Sequence, residues 1–119
     1  MMKLRTFAIV AGLACLPAMA SAAEMDMDHA ADAAKAEAGA AFAAANDKMM
    51  REMMVTLTGD SDRDFVTMMI PHHQGAIDMA KIVLQYGKDP EIRQLAEAIV
   101  AAQESEIAEM KAWLAGHGQ

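Results

Sequence analysis

The chain has 119 residues, enough for one small domain. Seventeen acidic against ten basic residues leave a net charge of −7 with no basic run, which argues against nucleic acid and anionic membrane surfaces as partners. Thirteen methionines stand against five aromatic residues, more thioether than gap-filling in a small core needs.

Residues 1–22 read as a secretory leader. Lys3 and Arg5 form a basic start, Phe7 to Leu16 an apolar segment too short to span a bilayer, and Ala20-Ser21-Ala22 a small-residue cleavage site. Cys15 lacks the aliphatic residue three positions earlier that a lipoprotein signal needs (Gly12 stands there), so it is expected to leave with the leader. The mature chain then has no cysteine and no disulfide. Without Lys3 and Arg5 it has eight basic residues against seventeen acidic ones, a net charge of −9. The expected location is the periplasm, with no stable membrane insertion once the leader is removed.

Residues 23–34 are acidic and alanine-rich, with Met25, Met27 and His29 but no large apolar anchor, and predict a flexible arm, or one that frays into the first helix. These two thioethers and one imidazole are a candidate loose metal-capture segment, or simply a solvated one. Residues 35–115 form the expected helical domain. The first helix is predicted over residues 33–57, with a stripe of Phe42, Ala45, Met49, Met53 and Leu57 and Gly59 as its C-cap. Met50 and Met54, about 100° further round, exceed packing needs and suggest soft-metal contact or a deformable surface.

The second helix is predicted from Ser61 to Tyr86, with Asp64 completing a capping box and Gly87 ending it. Its stripe is read as Phe65, Met68 or Met69, His72, Ala76, Met79, Val83 and Tyr86. Pro71 is expected to kink it just before the histidines, and Gly75 to loosen it. Asp89 and Pro90 open a third helix running to residue 115, with an apolar face of Ile92, Leu95, Ala96, Ile99, Val100, Ile107, Met110, Trp113 and Leu114. No strand pattern competes. The expected fold class is all-α, a small antiparallel bundle of three main helices.

The chemistry concentrates in Met68-Met69-Ile70-Pro71-His72-His73. A buried imidazole needs a partner, and thioether with imidazole suits copper, above all Cu(I). Helical phase places His72 in the core and His73 on its flank, and places Gln103 and Glu106 on the apolar face of helix three. A hairpin centred on Lys88 sets His72 level with residue 104 and Met69 with residue 107. A core histidine and a core glutamate are thus expected to meet, either as a satisfied buried pair or as part of a metal site. Met69 reaches both imidazoles at i+3 and i+4. Met79 is two turns from His72, as core or as part of an adjoining site. His117 reads as inert.

Other motifs fail. Asp60-x-Asp62-x-Asp64 begins like a calcium loop, but Phe65 and Pro71 replace its glycine and its bidentate glutamate. Haem-attachment and di-iron patterns are absent, and no nucleophile sits beside a base. The reading is therefore of a protein that is not an enzyme.

The stretch from Asp62-Arg63-Asp64-Phe65-Val66 through Met69-Ile70-Pro71-His72-His73-Gln74-Gly75-Ala76-Ile77-Asp78-Met79-Ala80, continuing to Gln103-x-x-Glu106-Ile107-x-x-Met110-x-x-Trp113-Leu114, resembles the CopM-type periplasmic copper metallochaperone family, long catalogued as a domain of unknown function. The resemblance implies a ferritin-like bundle that binds copper and contributes to copper resistance or trafficking. By position it implies Met69, His72, His73, Met79 and Met110 as metal residues, with the run Met49, Met50, Met53 and Met54 nearby. The combined expectation is a copper chaperone or buffer holding Cu(I), with Gln103 and Glu106 orienting an imidazole. Cu(II) has His72, His73 and Glu106 available. The expected partners are the copper ion and a periplasmic copper donor or acceptor protein, and the thin core allows a homodimer. Two other readings stay open: a structural or stress-related interaction protein with a Met-rich surface, and a small haem or copper redox bundle.

Overall fold

The structure, a computed structural model, describes residues 20–117, with side chains from residue 27 onward. Most of the expected leader therefore lies outside the described residues, as does the side chain of Met25. The described chain is all-α, in the order α1 (Ala20–Glu52), α2 (Ser61–Tyr86) and α3 (Pro90–Gly116), and forms a helical bundle.

Helix α1 begins earlier than the alanine run suggested, so residues 23–34 are continuous with it. It also ends earlier, at Glu52, where the last turn tightens through Met54 N–H to Arg51 O at 3.2 Å. Val55 and Thr56 are β-branched and extend the helix poorly. Met53 and Met54 are left outside it. Gly59 is the left-handed residue of the following loop, at φ +88°, rather than a cap on α1.

The cap of α2 is Asp60, not a Ser61–Asp64 box. Its Oδ1 accepts from Asp62 N–H at 3.0 Å and from Arg63 N–H at 3.3 Å. Asp64 faces the loop instead and accepts from Thr58 N–H and Thr58 Oγ1, both at 2.8 Å, and from Gly59 N–H at 2.9 Å. These donors, the Thr58 amide first, hold its carboxyl below the usual carboxylate range. Helix α2 is continuous through Pro71, so the proline does not divide it.

The α2–α3 turn follows expectation. Asp89 Oδ1 accepts from Glu91 N–H at 2.9 Å and Ile92 N–H at 3.1 Å, and Pro90 takes the first helical position. Arg93 closes the end of α2 by donating to Leu84 O at 2.8 Å and Gly87 O at 3.0 Å.

Helix α2 is the middle layer. Helices α1 and α3 each pack on it and not on one another. The buried apolar residues are Ala45, Val66, Ile77, Ala80, Ala96 and Ile107, with Ile77 the largest fully buried side chain. Between α1 and α3 an open groove of about 350 Å³ is lined only by apolar side chains, among them Phe42, Ala76, Met79, Val83, Leu95 and Ile99.

Candidate metal centre

Adjacent helical residues differ by about 100°, so two neighbouring histidines cannot share one environment. The covered stripe of α2 is Val66, Ile70, His73, Ile77 and Ala80, at steps of four, three, four and three. His73 therefore points inward, with 13% of its side chain exposed, while His72 is exposed. The expected assignment is reversed. The Phe65–His72–Ala76–Met79–Val83 stripe is real, but Ala76, Met79 and Val83 are the floor of the open groove rather than the packed seam.

The anticipated meeting of a histidine with Glu106 does occur, through the other imidazole. His73 Nε2 lies 2.7 Å from Glu106 Oε2. This contact also sets the local register of the hairpin, which differs by three residues from one centred on Lys88. With His73 level with Glu106, Met69 falls level with Met110, one turn further from the hairpin end. Met69 and Met110 are both half-buried. Residues four apart share a helix face, so Met69 and His73 on α2 confront Glu106 and Met110 on α3.

Two polar atoms at this seam are buried without a hydrogen-bond partner: His73 Nδ1 and Gln103 Oε1. Such atoms are costly unless something engages them. A neutral imidazole that donates from Nε2 to the Glu106 carboxylate carries its lone pair on Nδ1. That is the protonation state a metal requires, and carboxylate orientation of a ligating histidine is a common outer-shell device.

The methionines of α1 lie elsewhere. Gly75 is buried because Met49 sits directly on it; a Cβ at Gly75 would stand 2.7 Å from Met49 Cγ and closer still to its sulfur. The glycine is thus a close-approach residue, not a point of looseness. It is two residues from His73 and so about 160° round the helix. One ion cannot take both Met49 and His73 across the α2 backbone. Met53 is half-buried, whereas Met50 and Met54 are exposed at 56% and 83%. Met79 lines the apolar groove.

His72 and His73 have ring centroids 6.0 Å apart and tilted by 60°. Among the described residues no three His, Cys, Asp or Glu side chains cluster, so His72, His73 and Glu106 do not form one group. Met27 and His29 are exposed in the first turns of α1. His29 is twenty residues, about 30 Å, up the helix from Met49. His117 caps α3, donating from Nδ1 to Trp113 O over 2.7 Å and stacking on the Trp113 ring at 4.2 Å.

Lys48 and Asp78 escaped the sequence reading. Lys48 Nζ donates to Asp78 Oδ2 at 2.7 Å and Gln74 Nε2 to Asp78 Oδ1 at 2.9 Å, clasping α1 to α2. Burial pushes the Asp78 carboxyl up, but the hydrogen bonds from Lys48 and Gln74, with the charges of Lys48 and Lys81, hold it below the usual range. The Lys48 ammonium is raised, chiefly by its hydrogen bond to Asp78. A charged pair thirty residues apart carries no local signature; only Gly75, a mid-helix glycine, hinted at the crossing.

A three-helix all-α bundle with a histidine–carboxylate pair across one seam and thioethers beside it is the class of protein these features define. The chain belongs to the DUF305 family, a domain of unknown function, whose model matches residues 13–114. It is also 45% identical over 53 residues to an uncharacterized protein, L153, of Acanthamoeba polyphaga mimivirus. That match takes in 44% of this chain and 35% of the viral protein, so the chain spans about a third of its relative's length. Among the described residues no helix is long and apolar enough to cross a membrane.

Proposed function

We propose that this protein binds copper, as an exported metallochaperone or buffer rather than an enzyme, and holds Cu(I) at the α2–α3 seam. The observation that carries the reading is the His73 imidazole, fixed by Glu106 through Nε2 while its buried Nδ1 has no partner. The donor set fits the ion: one imidazole nitrogen with the thioethers of Met69 and Met110 is soft enough for Cu(I). Gln103, with its own unpartnered oxygen, and Glu106 act from the second layer. Thioethers release Cu(I) more readily than thiolates, which suits transfer to a periplasmic acceptor. The leader-like N-terminus supports export.

The test is competition for Cu(I) against a chromogenic chelator. His73→Ala is expected to weaken binding at least tenfold, and His72→Ala to change it little. Equal affinity in the unmodified protein and the His72→Ala, His73→Ala double variant would overturn the reading.

A further inference from the structure

The open groove and the free half of α1 answer one another. The groove is an open trough, floored by α2 from Ala76 to Val83, walled by Phe42 of α1 and by Leu95 and Ile99 of α3, and lined by no polar side chain. Leu95 and Ile92 are 54% and 50% exposed there. A fourth helix would cover it, and the chain has no fourth helix among its described residues. Meanwhile no side chain from residue 27 to residue 41 is buried.

That stretch continues the seam by which α1 packs. Met27, Ala31, Ala34, Ala38, Ala41 and Ala45 follow steps of four, three, four, three and four, one face of one helix. Ala45 is buried against the bundle, whereas Met27 is 70% exposed. The free half cannot fill its own groove. Helix α1 is unbroken from Ala20 to Glu52, and Phe42 sits at the hairpin end, level with Val83 and Ile92, so the preceding turns run past that end and away.

We propose that residues 27–41 of α1 lie in the groove of a second copy of this chain, reciprocally about a two-fold axis, so that each groove becomes a four-helix unit. Alanine is the right residue for this, since small side chains let a helix sit deep in a shallow trough. Fifteen residues span about 22 Å. The two arms and two grooves together must then bury about 1,200 Å², the lower bound of a standard stable interface. With six buried apolar residues among those described, the chain needs such a supplement. The interface uses none of His73, Glu106, Met69 and Met110, so it does not rest on the copper site proposed above.

Sedimentation equilibrium of the purified protein at micromolar concentration, with chelator present, tests it. The expected mass is twice that of the chain. Leu95→Glu in the groove and Ala38→Glu on the arm are each expected to give monomer, while Ala36→Glu, on the opposite side of the same helix, leaves the dimer intact. Ala38 is not buried in its own chain, and far-ultraviolet circular dichroism verifies for both variants that loss of the dimer is not a folding defect. A monomer at all concentrations overturns the proposal, as does a dimer that survives both variants. Loss of the dimer with Leu95→Glu but not with Ala38→Glu overturns the arm as occupant.

Discussion

His73 Nε2 stands 2.7 Å from Glu106 Oε2, and the contact joins α2 to α3 at the point where α2 carries its only inward-facing histidine. It sets the depth at which the two helices meet and settles which ring nitrogen is left for other chemistry.

Glu106 is the group to remove first. Its side chain is 53% exposed, so the pair adds little to stability, within about 1 kcal/mol. Its effect on the ring is larger. Glu106→Ala is expected to leave the melting temperature nearly unchanged, yet weaken Cu(I) binding about 10- to 100-fold. Nitrogen-15 correlation spectra of the metal-free protein should show the Nε2–H tautomer of His73 before the substitution and mixed tautomers after it. An unaltered tautomer ratio would remove Glu106 from this role.

Gly75→Ala tests the crossing of α1 over α2. On helix propensity alone the change is favourable by about 1 kcal/mol. The added Cβ, however, meets the Met49 side chain, and overpacking of this kind costs about 1–3 kcal/mol. Net destabilisation is therefore expected in a urea titration. Adding Met49→Ala should recover the Gly75→Ala penalty, a coupling that a double-mutant cycle reads directly. Additive losses would mean that the two residues do not touch.

Asp78 gives the fold a definite acid response. Its carboxyl is held below the usual range in the folded state, so its contribution is fully present above the ordinary carboxylate value of 3.8 and is lost as pH falls through the lower folded one. Asp78→Asn should lower the melting temperature at pH 6, with the difference from the unmodified protein closing as pH falls below the ordinary carboxylate value and through the lower folded one. Lys48 works in the other direction. Its raised value makes its contribution complete below 10.5 and lost as pH climbs through the folded value. A gap that widened in acid would contradict the clasp.

Ile77→Ala removes the largest fully buried side chain and is expected to cost about 2–5 kcal/mol. Leu95→Ala, at a position 54% exposed, should cost far less in the isolated chain. Chemical denaturation of the two variants, at concentrations low enough to keep the chains apart, distinguishes them, and comparable losses would mean that Leu95 is packed within its own chain.

Local signals carried a great deal. Ser61 through Tyr86, the Asp89 cap with Pro90 behind it, and the all-α class were legible because caps, proline and glycine act within one turn of chain. The meeting of an α2 histidine with Glu106 was legible too, since an imidazole and a carboxylate on apolar faces need partners.

What the sequence could not choose was the histidine. Helix α2 has two apolar stripes about 100° apart, and periodicity alone ranks them equally. Only the positions of α1 and α3 decided that the Val66–His73–Ile77 stripe is covered, while the Phe65–His72–Met79 stripe faces the groove. The same holds for the methionines of α1. Their spacing was evident in the chain, but their place across α2 from His73 follows from Gly75 admitting Met49, a contact between residues 26 positions apart. Phase within a helix is a local property of the backbone, and which phase is buried is a property of its neighbours.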